Sequence, residues 1–156
     1  TLRLPQPRAR LGAQRGNEPG TWNFSVLRTP DVAQALHFYG PLLGWEVSPD
    51  LGAGMARVEG YGDHLARTVN PEIDANQAGA PPGFRDVVAG VLEEPGPARH
   101  TVTFAVADRD AAAAAAERAG AVVLSSADTG WTREAEVRDP QAAVLTLSQF
   151  TPPEGF

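Results

Sequence analysis

The chain has 156 residues, enough for one domain with a full core. Hydrophobic residues make up 42% and charged residues 21%, as in soluble globular proteins, and no apolar run nears the roughly 18 residues that a bilayer span needs. There is no cysteine, which excludes disulfides, thiol catalysis and thiolate metal sites, and the net charge of -6 argues against nucleic acid as the main partner. The absence of cysteine fits the cytoplasm. All 13 basic residues are arginine, which reads as compositional bias beside abundant Ala, Gly and Pro. The chain opens TLRLPQPRAR, without an initiator Met and without the apolar centre of a signal peptide, so a processed or trimmed chain is expected.

Residues 1–20 read as an N-terminal arm or linker. Arg3, Arg8, Arg10 and Arg15 stand against Glu18, so the arm is basic and the remaining body acidic. Leu2 and Leu4 alternate with polar residues like a short edge strand, with a disordered tail as the alternative. Such an arm can dock on its own body or on a second copy, in a homodimer or a tandem pair.

Trp22 to Arg28 reads as a strand. Thr29 is the expected helix N-cap, with Pro30 at the first helical position. Val32, Ala35, Leu36, Tyr39, Leu42 and Leu43 give one apolar helix face, with Pro41 kinking or ending the helix. Gly44 releases the chain into a short strand, Trp45–Val47. A turn over Asp50–Gly54 and a strand over Met55–Gly60 follow. Tyr61 to Arg85 is the least regular stretch and reads as a long loop, with residues 62–85 as a candidate lid. Asp86–Glu93 closes the first module, and Pro95 and Pro97 mark an extended linker.

Thr101–Ala107 begins a second module. Asp108 or Asp110 caps an alanine helix that runs to Gly120. Ala121–Leu124 is a strand, Ser125–Gly130 a turn, and Trp131–Arg138 a strand. Asp139-Pro140-Gln141 turns the chain into the last strand, Ala142–Phe150, and residues 152–156 are a tail. Aligning Asp31 with Asp108 puts Leu27 on Phe104, Thr29 on Val106 and Ala35 on Ala112. The offset of 77 residues is too long for a solenoid, whose repeats run at roughly 20–50. The expected fold is therefore α+β: duplicated βαβββ modules, over 21–94 and 100–151 with a linker at 95–99, forming paired curved mixed sheets around a cup.

The junctions LRTPDVAQALHFYGPLLGWEV and FAVADRDAAAAAAERAGAVV, with the closing RDPQAAVLTLSQF, resemble the vicinal oxygen chelate superfamily. That group includes glyoxalases, bleomycin-resistance proteins and extradiol dioxygenases. FYGPLLGW is similar to the FYxxxLGW helix end of these proteins, and DPQAAVLTL to their DPxGxxxEL hairpin, with Ala142 where Gly is usual. GTWNFSVLRTPD and GAPPGF resemble the tandem-domain members of high-GC Gram-positive bacteria.

The resemblance implies a divalent metal held by His and Glu from four equivalent strand positions. Those positions fall on Phe24 or Val26, Thr101 or Thr103, and Thr146, with Glu93 and Glu94 ending the remaining strand. Phe, Val and Thr do not replace His and Glu at a divalent site, so no metal cofactor is expected. His37 reads as a surface residue, and His64 and His100 as weak cavity candidates.

The expected ligand-binding set is Phe24, Val26, His64, Thr101, Thr103, Trp131 and Arg133, with Tyr61 and Arg67 at the rim. Here Trp131 would stack on a flat ligand and Arg133 would hold an anion. The resulting expectation is a small-molecule-binding protein with an apolar or aromatic ligand, and without nucleic-acid or membrane partners. One alternative is a metal-dependent lyase, isomerase or dioxygenase-like enzyme using His64, His100 and Glu93. Another is a structural domain of a tandem or dimeric assembly.

Overall fold

A computed structural model describes residues 16–47, 51 and 54–154. The strands are β1 (Trp22–Thr29), β2 (Glu46–Val47), β3 (Met55–Arg57), β4 (Val87–Glu93), β5 (Arg99–Ala105), β6 (Val122–Asp128), β7 (Thr132–Arg138) and β8 (Val144–Phe150). The helices are α1 (Val32–Leu43), α2 (Tyr61–Thr68), α3 (Ile73–Asn76) and α4 (Arg109–Arg118). No helix among the described residues is long and apolar enough to cross a membrane.

The eight strands among the described residues join in one mixed, curved sheet, ordered β2-β3-β4-β1-β5-β8-β7-β6. Each module contributes four strands in the same relative order. Within each module the first and last strands pair in parallel, β1 with β4 and β5 with β8. The two halves meet where β1 pairs antiparallel with β5, with Val26 opposite Thr101 and Phe24 opposite Thr103. The paired sheets are thus continuous through the centre of the molecule.

Side chains alternate across a strand, so each strand sends odd and even positions to opposite faces. One face of module one carries Leu27, Ala56, Ala89 and Val91, all buried, and packs against Val32, Ala35, Tyr39 and Trp45. Tyr39 stacks on Trp45 with ring centroids 5.0 Å apart. In module two, Ala135 and Val137 are buried on the face that α4 covers. Alanines without bulky side chains let that helix lie close to its strands.

Several local expectations shift. Asp31, not Thr29, caps α1, accepting a hydrogen bond from the Gln34 amide at 2.8 Å. Pro30 holds Thr29 extended, so Thr29 ends β1 instead of opening the helix. Pro41 lies inside α1, which continues to Leu43 and ends at Gly44 with φ of 73°. The β6 strand extends through Asp128, so the following turn shrinks, closed by Thr129 N–H donating to the Thr132 carbonyl at 2.7 Å.

The stretch read as a loop instead forms α2, α3 and a 3₁₀ turn over Phe84–Asp86. Arg85 ties α2 to α3 by pairing with Asp63 and Asp74, and Asp86 accepts the Gly62 amide at 2.7 Å. These tertiary contacts supply what a polar eight-residue helix lacks alone. Of the arm, residues 16–20 are described and form a turn in which Gly20 N–H donates to the Ala105 carbonyl at 2.8 Å. The strand expected at Leu2 and Leu4 lies outside the described residues, as does most of the turn expected over Asp50–Gly54.

Candidate functional site

The sheet face opposite α1 and α4 is the inner face. Its register can be followed strand by strand. Phe24, Thr103, Thr146, Glu136 and Ser125 form one row across β1, β5, β8, β7 and β6. Ala105, Ser148, Glu134 and Ala127 form the next. Towards module one, Val26 lies opposite Gly90, which lies opposite Met55. A Cβ added at Gly90 would stand 3.1 Å from Val26 and 3.5 Å from Phe24. The inner face is therefore apolar in module one, and carries hydroxyls and carboxylates in module two.

Thr101, Thr103, Thr146 and Ser148 are buried although neither α1 nor α4 covers that face. The side chain of Arg28 reaches Thr101 and lines the same depression as Thr146. Arg28 donates through Nε to Thr101 Oγ1 at 3.2 Å and through Nη1 to Glu94 at 2.6 Å. Its Nη2 approaches Glu136 Oε1 at 3.4 Å, an ion-pair distance without hydrogen-bond geometry. Arg99 also pairs with Glu94. Hydrogen bonds from Arg28 first, and then from Arg99, hold the Glu94 carboxyl below its ordinary pKa. Glu134 accepts from Thr132 Oγ1 at 3.0 Å and from Ser148 Oγ at 3.4 Å.

A depression of about 90 Å³ lies here, lined by Arg28, Ser125, Ala127, Glu134, Glu136 and Thr146. A larger one of about 160 Å³ lies within the insertion, between Asp74, Gln77 and the Ala80–Arg85 segment. Its charged groups, Asp74 and Arg85, already pair with each other, and it lies apart from the central strands. No described residue of 61–85 lines the inner-face depression, so the segment read as a lid does not close it.

Phe24, Val26, Thr101 and Thr103 thus come together on adjacent strands of the inner face. The other expected residues sit elsewhere. Arg133 shares the face of Ala135 and Val137 beneath α4, where it pairs with Asp110 at 2.7 Å and Asp128 at 3.5 Å. Its partner Asp110 is held below its ordinary pKa by hydrogen bonds from Arg133 first and Arg109 second. The anion that Arg133 holds belongs to this chain. Trp131 stacks against Phe150 at the end of β7, with centroids 6.4 Å apart. His64 and Arg67 are exposed on α2, and Tyr61 begins that helix. His100 turns to the α1 side, where its Nε2 meets Tyr39 Oη at 3.2 Å. Sequence reasoning missed Arg28, Glu134 and Glu136. The alternating TREAEV run carried the signal for the two carboxylates, since positions two apart share a face.

A duplicated βαβββ unit, joined edge to edge so that its central strands line one inner face, defines the vicinal oxygen chelate class of fold. The family model for the glyoxalase-like domain matches residues 24–148, and the chain belongs to that family. No curated protein matches it in sequence. Among solved structures, a Streptomyces coelicolor methylmalonyl-CoA epimerase in complex with 2-nitronate-propionyl-CoA is similar over 85% of this chain and 95% of its own. Identity is 17% and the TM-score 0.49. A Mycobacterium tuberculosis methylmalonyl-CoA epimerase is similar over 84% and 88%, at 15% identity and a TM-score of 0.44. At that distance neither substrate nor residue role carries over.

The divalent metal implied by the superfamily can be tested against the donors present. Its strand positions carry Phe24 and Val26, Thr101 and Thr103, and Thr146, and Glu94 is bound by two arginines. Among the described residues, no group of three or more His, Asp or Glu is placed to hold a metal. Phenyl, isopropyl and neutral hydroxyl groups do not fit a divalent site.

Proposed function

We propose that this domain binds a small organic molecule on its inner face without a metal. The observation that carries the proposal is the row Phe24–Thr103–Thr146 beside Val26–Thr101, which puts apolar and hydroxyl groups on the central strands. Such a surface can hold a ligand with an apolar or aromatic body and fix its orientation with a few polar contacts. The same reading gives no nucleic-acid or membrane partner and a cytoplasmic location. It also includes a homodimer or tandem pairing through residues 1–20.

Native mass spectrometry of the purified chain tests this proposal. An organic adduct that survives chelator treatment supports it. A mass excess of one divalent ion per chain, lost together with ligand binding on chelation, overturns it.

One observation favours a second reading, a structural domain of a larger assembly. The inner-face depression is about 90 Å³, whereas small-molecule pockets run to roughly 300–1,000 Å³. Under the first reading the depression takes only one end of the ligand, and the open apolar half of the face takes the rest. Under the second, no small molecule binds at all.

A further inference from the structure

The geometry points to an organic cation as the ligand, with its ammonium group seated between Glu134, Glu136 and Thr146. This rests on the binding reading above and names the chemistry of the same face. Four observations carry it.

The first is charge balance. The depression is lined by two carboxylates, Glu134 and Glu136, and one arginine, Arg28, which is shared with Glu94, itself a partner of Arg99. Both arginines pair with Glu94. Among the described residues the Glu134 carboxylate has only hydroxyl partners. The cluster therefore lacks one positive charge.

The second is an unmet acceptor. Glu136 Oε1 is fully buried and accepts no hydrogen bond among the described residues. Among the described residues its charge is offset only by Arg28 Nη2 at 3.4 Å, so a cation beside the accessible part of the same carboxylate adds stabilisation.

The third is the hydroxyl beside it. Thr146 is 6% exposed and lines the depression, and its Oγ1 has no hydrogen-bond partner among the described residues. It adds a neutral acceptor next to the two carboxylates.

The fourth is size and surroundings. About 90 Å³ is the room of roughly three waters, which suits an alkylammonium head and not a whole organic molecule. From there the row leads through Thr103 to Phe24, with Val26 and Met55 beyond. An anion is disfavoured because every donor nitrogen of Arg28 is already directed at Thr101, Glu94 or Glu136.

Three aromatic probes of one shape separate the outcomes: phenethylamine, 2-phenylethanol and 3-phenylpropionate. Each is titrated into the ¹⁵N-labelled 156-residue chain at pH 7 and followed by amide shifts of β1, β5, β7 and β8. The expected result is that phenethylamine binds about tenfold tighter than the alcohol, as a charge-assisted hydrogen bond exceeds a neutral one. Glu136→Gln should bring the amine down to the affinity of the alcohol. Ser125→Lys changes an exposed residue of the same row, and its own ammonium should block the amine. That variant keeps the test available if Glu136→Gln fails to fold.

Equal affinity for amine and alcohol, unaffected by either variant, would overturn the cation assignment and leave the binding face standing. Tighter binding of the carboxylate would overturn it too. No shift from any probe would overturn both this inference and the binding reading.

Discussion

Arg28 ties the two modules together, and replacing it with Met tests the account of the inner face. Methionine keeps the length and apolar stem of the side chain and removes its polar contacts. The bond to Glu94 at 2.6 Å is charge-assisted and worth about 1.5–3 kcal/mol. The bond to Thr101 at 3.2 Å adds about 1 kcal/mol. Contact with Glu136 at 3.4 Å is weak in itself, but its loss leaves that carboxylate without its one ion-pair partner among the described residues. Against these losses, Arg28 is 17% exposed, so Met also escapes the cost of desolvating a guanidinium. The net expectation is a loss of about 2–3 kcal/mol at pH 7, equivalent to a fall in Tm of roughly 4–12 °C. Urea unfolding followed by tryptophan fluorescence reads it directly. Adding Glu136→Gln should restore about 1 kcal/mol, because the neutral amide no longer needs a cation. Unchanged stability in Arg28→Met, or no recovery in the double variant, would refute the reasoning.

Further predictions concern pH, core and turn. The Glu94 carboxyl sits below its ordinary pKa in the folded state, so its contribution is complete above the unfolded-state pKa. That contribution should fall away as pH drops through the lower folded value, and a urea series from pH 7 to pH 3 should show a shallower acid loss in Arg28→Met. Leu27→Ala removes a side chain that is 2% exposed beneath α1 and should cost about 3 kcal/mol in the same unfolding assay. Ala142 has φ of 72°, a conformation unfavourable for any residue with a Cβ. Ala142→Gly should therefore raise stability by about 0.5–1 kcal/mol, and a decrease would count against the turn geometry.

Much of the architecture was legible because it depends on short-range patterns. Both strand-to-helix junctions announce a capped helix: the cap at Asp108 forms as one of the two expected, whereas the first helix is capped by Asp31 and not by Thr29. The repeat offset set Phe24 and Val26 against Thr101 and Thr103, since two copies of one module must meet through equivalent strands. What escaped depends on contacts distant in sequence. The α2 helix relies on Arg85, about 20 residues further on, and its eight largely polar residues are too few to announce a helix by themselves. The facing of Arg133 could not be read from alternation alone, because a strand pattern gives two faces without saying which one a helix covers. Asp110 on α4 settles that choice by drawing the guanidinium to the helix side. The Arg28 hub links β1 to β7 through side chains 108 positions apart, and no local motif marks it.

Metal-independent binding on the inner face is tested by amide-shift mapping of a fragment library on chelator-treated protein. Hits are expected whose shifts centre on β1, β5 and β8, around Phe24, Thr103 and Thr146, and that are unchanged when zinc, nickel or manganese is added back. Hits confined to other surfaces, or binding that vanishes with chelation and returns with metal, would contradict it.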